Sequence, residues 1–408
     1  MNKIEKLIEQ YCPEGVEHLN IKDITIEAFW IMPSTPKFIE KSDIPYVTSK
    51  NLRKRSIDFT NVKYISYDDY IIISRQRPIL KNDILIGMIG TIGEIAKVGE
   101  FDFKFYGQNM YLLRLNKSVI DINFFVHFFD SPFVKSILNS VKNSSSQGYL
   151  KAEHIEKIQI PIPPLSIQQE IVSILDKFTE LEAELEAELE ARLLQYDYYR
   201  NQLLAFENQE VEWKTLGEVG TFTRGSGLPK SDFTETGIGC IHYGQIYTYY
   251  GNYATKTKSF VSKETASKLK KVNKGDIIIT NTSENYEDVC KAVVWLGDEE
   301  IVTGGHACIF KHNQNSKYIA YYTQTNEFSI SKKKFAKGTK VIDVSAKDLA
   351  KIKIPIPSIQ EQERIVKILD QFDALLNDIS VGLPAEIQAR KQQYEHYRSK
   401  LLTFKNVN

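Results

Sequence analysis

"IPIPPLSIQQEIVSILDKF", residues 160–178, returns almost unchanged as "IPIPSIQEQERIVKILDQF", residues 354–372. The offset is 194 throughout, so Pro161 stands opposite Pro355 and Asp176 opposite Asp370. A second pair follows, "QYDYYRNQLLAF" (195–206) and "QYEHYRSKLLTF" (393–404), at an offset of 198. Self-similarity on this scale means a chain written twice. Fainter echoes lie upstream of each pair: "VEHLNIKDI" (16–24) with "VEWKTLGEV" (211–219), "KNDILI" (81–86) with "KGDIII" (274–279), and "IPYVTSKNL" (44–52) with "IGCIHYGQI" (238–246). The order is variable module, shared helix, variable module, shared helix. We divide it as residues 1–158, 159–210, 211–352 and 353–408.

Each shared segment reads as a helix. The prolines at its start (Pro161, Pro163, Pro164; Pro355, Pro357) hold the chain extended. Ser166 and Ser358 suit the capping position. Ile167, Ile171, Ile174, Phe178, Leu181 and Leu185 then recur every three or four residues, which is one helix face, and Tyr196, Tyr199 and Leu203 prolong it. About 40 residues at 1.5 Å each span roughly 60 Å, too long for one globular core. The stripe therefore needs a partner, and the second copy is the obvious one. An antiparallel pair would place the modules at opposite ends about a pseudo-twofold. Gly382 and Pro384 predict a break in the second helix. The modules themselves carry short β-like runs ("YIIIS", "DILIGMIG", "GDIIIT", "KAVVWLG") between Gly, Asn and Asp turns, with helical patches such as "NFFVHFFDSPFVKSIL" (123–138). The expected fold class is α+β: two globular modules separated by two long antiparallel helices in a coiled coil. The first dozen residues resemble the end of a shared helix.

Composition excludes several classes. The chain has 408 residues, 42% hydrophobic and 25% charged, an ordinary globular mix. It has no apolar run long enough for a membrane span, and "MNKIEKLIEQYC" lacks a signal-peptide core. Cys12, Cys240, Cys290 and Cys308 form no C-x-x-C pair, which fits a reducing cytoplasm and argues against structural zinc. The seven histidines have no metal-ligand spacing, so no metal is expected. Net charge is zero, but acid is concentrated. Residues 165–206 hold nine acids against three bases, whereas residues 211–352 hold 20 bases against 15 acids and residues 13–158 hold 19 against 17. No P-loop occurs, and no adenine-methyltransferase tetrapeptide (Asn/Asp-Pro-Pro-Tyr/Phe). "FTRGSG" (222–227) and "IGMIGTIG" (86–93) lack the strand–loop–helix setting of a phosphate cradle and read as turns.

With the repeats "IPIPPLSIQQEIVSILDKF", "QYDYYRNQLLAF", "VEWKTLGEVG" and "GLPAEIQARKQQYEHYRSKLLTF" in their two-fold layout, the sequence resembles a specificity subunit of a type I restriction–modification system over nearly its whole length. The resemblance implies two target recognition domains, each reading one half of a split double-stranded DNA site. It implies helices that dock two methyltransferase subunits, with restriction subunits joining them. It makes the chain itself non-catalytic, holding no cofactor of its own: S-adenosylmethionine, ATP and magnesium would sit on the partners. It also gives meaning to "TELEAELEAELEARL" (179–193), a four-residue refrain marked by Leu181, Leu185 and Leu189, because in the family such repeats set the gap between half-sites. One unit adds about 6 Å of helix and roughly 40° of rotation.

If the modules bind DNA, Lys and Arg reach phosphates while loop side chains read base edges. The candidates in the first module are Arg53, Lys54 and Arg55 in "NLRKRS", Arg75 and Arg77 in "SRQRP", and the turn Thr48, Ser49, Lys50, Asn51. In the second they are Arg224, Lys230, the aligned turn His242, Tyr243, Gln245, the histidine His306 in "GGHACIF", and Lys332, Lys333, Lys334, Lys337 and Lys340 in "SKKKFAKGTK". Lysine runs are often only solvated faces, and a buried histidine would serve structure rather than reading. The rival functions are a non-catalytic DNA-binding regulator or anti-restriction decoy, and part of a self-contained modification enzyme.

Overall fold

A computed structural model describes residues 8, 10–40, 42–141, 148–206, 210–377 and 382–407. The chain divides into two compact units, Met1–Glu184 with Gln388–Asn408, and Leu185–Ile387. Most of the expected amino-terminal helix end lies outside the described residues.

Both units follow one plan. In the first, the strands Thr25–Ile31, Met110–Leu115, Ile84–Gly87 and Ile95–Lys97 form an antiparallel sheet in that order. Its central strands are buried on both faces, so the side chains alternate between two cores. Ile84, Ile86, Tyr111 and Leu113 meet the helices, while Leu85, Met110 and Leu112 meet a second sheet. That second sheet runs Tyr106–Gln108, Pro45–Thr48, Lys63–Ile65, Phe38–Ile39, and its first pair is parallel. The second unit repeats this. Gly220–Arg224, Ala307–His312, Ile277–Thr280 and Ala292–Trp295 are neighbours in order, with Ile277 and Ile279 in one core and Ile278 in the other. Ile238–Ile241 and Ile301–Thr303 form the matching parallel pair.

The proline-rich segments are strands, as their residues dictate. Gln159–Pro161 pairs with His18–Asn20, and Lys353–Ile356 with Glu212–Thr215. The central helix then runs Leu165–Leu203 without a break. It starts one residue before Ser166, so that serine is no cap; the Pro164 carbonyl accepts from Ile167 and Gln168 at 2.8 and 3.1 Å instead. Ser358 does cap, its hydroxyl accepting from the Glu361 amide at 3.3 Å. The second arm comprises Ile359–Asn377 and Leu383–Leu402. Gly382 precedes the restart, and Pro384 sits in its first turn, where a missing N–H costs nothing.

Within the first unit the two helices run antiparallel. Phe178 stacks on Tyr397 at 5.3 Å, and Lys391 reaches Glu182 at 3.4 Å, so one helix ascends as the other descends. In the second unit Tyr196 and Tyr199 lie 6.1 and 5.9 Å from Phe372. Along the refrain Leu185 is buried and Leu181 and Leu189 are half-buried, whereas Ala183, Glu184, Ala187 and Glu188 are exposed. The leucine stripe faces inward as its spacing requires.

A buried glutamine ties each module to its helix. Gln168 Oε1 accepts from the Asp121 amide at 2.7 Å while its Nε2 donates to the Val119 and Pro163 carbonyls. At offset 194, Gln362 Oε1 accepts from the Asn315 amide at 3.0 Å and its Nε2 donates to Pro357 O and Gln314 Oε1. Beside them, His127 meets Asp176 at 2.8 Å, and its counterpart Tyr321 meets Asp370 at 2.7 Å. Burial holds the His127 imidazole below its ordinary range, so it is the neutral ring that donates from Nε2 to the carboxylate.

One expected strand is a helix. "YIIIS" belongs to Tyr67–Ser74, started by Ser66, whose hydroxyl accepts from the Asp69 amide, with Asp68 and Asp69 in the first turn. Its isoleucines suggested a strand; the cap decided otherwise.

Candidate nucleic-acid interface

In each unit the carboxyl ends of the two parallel strands open onto a turn. In the first, Thr48 ends Pro45–Thr48 and caps the turn Ser49–Asn51. Asn51 Oδ1 accepts from the Thr48 amide at 2.9 Å, and its Nδ2 donates to Asp58 O at 3.0 Å. Ser49 donates to Ile89 O, and Thr91 donates to Ser49 O, which fastens the glycine-containing turn at 87–93 alongside. Ser49 and Asn51 are mostly buried and hold the turn together, and both also line the cleft beside it. Thr48 stays half-exposed and Lys50 is exposed. They border the same cleft, of about 790 Å³, with Lys63, Gly90, Gln108 and Asn109 on its other sides.

The second unit builds the same turn from different residues. His242 caps Tyr243–Thr248, its Nδ1 accepting from the Gly244 amide at 3.1 Å. Gln245 Oε1 accepts from the His242 amide at 3.1 Å, the bond that Asn51 makes to Thr48, and Gln245 Nε2 meets Ser259 at 2.6 Å. Burial first, then the Lys230 and His306 charges, hold His242 below the usual imidazole range. His242 is buried and supports the turn, and Gln245, half-buried, braces it as well. Tyr243 and His306 form the outward surface: their rings are 4.9 Å apart, and His306 Nδ1 lies 3.1 Å from Thr282 Oγ1. His306 is exposed, so the buried alternative is excluded.

The basic candidates divide. Arg53, Lys54, Arg75, Arg77, Arg224, Lys230, Lys333, Lys334 and Lys340 are exposed. Arg53 lies 3.9 Å from Asp58, and Arg77 lies over the Phe29 ring at 5.3 Å. Lys54 and Arg55 have φ of 49° and 64°, the tight hairpin between Leu52–Arg53 and Ser56–Ile57. That turn aims Arg55 at the helix junction, where it donates to Tyr394 OH at 2.8 Å and His127 Nδ1 at 3.0 Å; it is a structural residue, not a cleft one. Lys332 is corrected most sharply. It is 4% exposed, and its ammonium donates to Glu287 O at 2.8 Å and Val289 O at 2.7 Å. It follows Phe328 by four residues and shares its inward face. Lys337 is exposed, with its ammonium 3.4 Å from Asp348.

Gln108 and Asn109 were missed in the sequence. The signal was the alignment of "YGQN" (106–109) with "TGGH" (303–306), at offset 197. Among the described residues no group of three His, Cys, Asp or Glu side chains could hold a metal, and no helix is long and apolar enough to cross a membrane. All four cysteines are buried and free.

A family model described as the type I restriction modification DNA specificity domain matches residues 13–195 and again 208–389. The chain is 36% identical over 282 residues to the specificity subunit of a type I restriction enzyme of Escherichia coli, covering 65% of this chain and 69% of that one. It is 30% identical to a putative type I restriction enzyme specificity subunit of Haemophilus influenzae, covering 74% and 77%. A chain from a structure of complex assembly in the type I restriction–modification system superposes with a TM-score of 0.64 at 18% identity, covering 96% and 98%. The crystal structure of a type I S subunit from M. genitalium gives 0.52 at 16% identity, covering 95% and 96%.

Proposed function

The chain belongs to the type I restriction–modification DNA specificity family, and from that membership we propose that each of its modules reads one half of a bipartite double-stranded DNA site. One observation carries the reading. Two modules of one plan present the same capped turn at the ends of the same parallel strands, yet with different outward side chains: Thr48, Lys50 and Asn109 against Tyr243 and His306. Equal scaffolds with unequal faces suit two readers of unequal half-sites. The helices set the separation of the readers and dock two methyltransferase subunits, one on each half of the repeat. Restriction subunits join that complex. The chain performs no catalysis: S-adenosylmethionine, ATP and magnesium belong to the partners, and the whole works on DNA in the cytoplasm.

The test is module exchange. Replacing residues 13–158 with the matching region of a relative is expected to change one half of the methylated site and leave the other intact. Methylome sequencing of cells carrying the complete system reads this directly; a change in both halves, or in neither, refutes the assignment.

The exposed lysines have a different signature. Changing Lys333, Lys334 and Lys340 to Ala is expected to weaken binding to cognate and unrelated duplexes alike. The log–log salt dependence should flatten by roughly 0.9 per lost phosphate contact. An unchanged slope in a salt titration would mark the run as a solvated face.

A further inference from the structure

Each unit bends left-handed at three matched places in its module. The first is Asn82 (φ 68°) against Gly275 (φ 92°), where each amide donates across the sheet, to Val98 O and Trp295 O. The second is Gly93 (φ 80°) against Cys290 (φ 70°), whose amides donate to Gly87 O and Thr280 O. The third is Asn109 against His306, both at φ 64°, whose carbonyls accept from the Met88 and Asn281 amides at 3.1 and 2.8 Å. At the first two places one module uses glycine, the residue that meets such a φ without steric cost. At the third neither does, although Gly304 and Gly305 immediately precede His306. A planar polar side chain is kept there twice, and a different one each time.

Placement matches chemistry. Asn109 follows Tyr106–Gln108, and His306 lies three residues past Ile301–Thr303; these strands are the parallel partners of those that end in the capped turns. Asn109 lines the cleft with Thr48, Lys50 and Gln108. His306 is exposed beside Tyr243, and with Nδ1 held at Thr282 its Nε2 is the nitrogen that can meet a base.

We propose that Asn109 and His306 are specificity-determining residues, each reading one base pair of its own module's half-site. The carboxamide of Asn109 pairs with the N6 and N7 edge of an adenine, the two-bond match its donor and acceptor allow. The Nε2–H of His306 donates to a purine N7 in the major groove. This rests on the proposed reading of two half-sites. In each module the left-handed residue stands at the strand end beside the capped turn, Asn109 in the cleft with Thr48 and Lys50, and His306 exposed next to Tyr243.

Glycine substitutions test this, because glycine keeps the backbone and removes only the side chain. The full chain, copurified with the methyltransferase subunits of its own system, is used to select from a library of random DNA duplexes. The proteins compared are the wild type, Asn109→Gly, His306→Gly and the control Asn82→Gly. Asn109→Gly is expected to flatten the preference at one base pair of one half-site by roughly 5- to 150-fold. His306→Gly should do so at one base pair of the other half-site, while Asn82→Gly changes nothing. Melting temperatures should be unchanged or raised in all three, since the strain is relieved. A bipartite wild-type profile unmoved by either glycine overturns this assignment alone. So does a loss spread over a whole half-site with a lowered melting temperature, which would make the residue a structural one. A wild-type profile without preference overturns the half-site reading as well.

Discussion

Deleting Leu185-Glu186-Ala187-Glu188 is expected to weaken binding to the natural site by about 10²- to 10⁴-fold, the advantage that two linked reading heads hold over one. The deletion removes about 6 Å of helix and turns the downstream part of the helix by roughly 40°. A base pair advances about 3.4 Å, with about 10 pairs per turn, so the change is comparable to one or two base pairs. On the proposed reading of two half-sites, each module keeps its own loops and its own half-site, but both can no longer engage together. The stripe itself survives, because Leu189 takes the place of Leu185 and the outward Ala and Glu positions are exposed in both units of the refrain. A site with a shorter central gap should therefore restore methylation. Bending DNA to fit the original gap would demand about 1–6 kcal/mol for tens of degrees. The measurement is methylation over duplexes that differ only in gap length. If the variant keeps its partners and still prefers the original gap, the refrain is a plain connector.

Gln168→Leu is expected to lower the stability of the first unit by about 3–5 kcal/mol. The side chain is fully buried, and its loss strands the Asp121 amide and the Val119 and Pro163 carbonyls. A stranded buried group costs about 1–3 kcal/mol, and Leu restores the volume but none of the bonds. Gln362→Leu should do the same to the second unit, through Asn315, Pro357 and Gln314. Because each glutamine joins a helix to its own module, urea unfolding should show the two variants shifting different transitions. Losses under about 1 kcal/mol, or two variants that shift the same transition, would contradict the assignment.

Much of this architecture was legible because it is local and repeated. Ile167, Ile171 and Ile174 announce a helix face by spacing alone, and "DILIG" and "GDIIIT" announce strands by their apolar runs. Side-chain commitments were less so. The cluster "SKKKF" displays charge, yet only the four-residue step from Phe328 to Lys332 says which lysine turns inward. Arg55 was beyond reach, since its partner Tyr394 lies 339 residues away. Asn51 and Gln245 stand out in the sequence because amides read bases well; that their amide oxygens also close capping boxes depends on the local geometry of each turn. "YIIIS" was misread because β-branched residues favour strands, while the cap at Ser66 and the aspartates after it favour a helix start.

The partition of the chain also has a consequence for how it is made. The second unit is one unbroken stretch, Leu185–Ile387, whereas the first needs both Met1–Glu184 and Gln388–Asn408. Tyr394, Leu401 and Leu402 belong to the first unit's core, and Val16 bridges to Asn406. On a ribosome adding about 5–20 residues each second, the module that emerges first must wait on the order of 10–40 s for its last strip of core. Order of synthesis and order of completion are reversed: the later unit can close on itself while the earlier one still exposes the groove that Tyr394 will fill. That interval is when the nascent chain is most open to chaperones and to proteases.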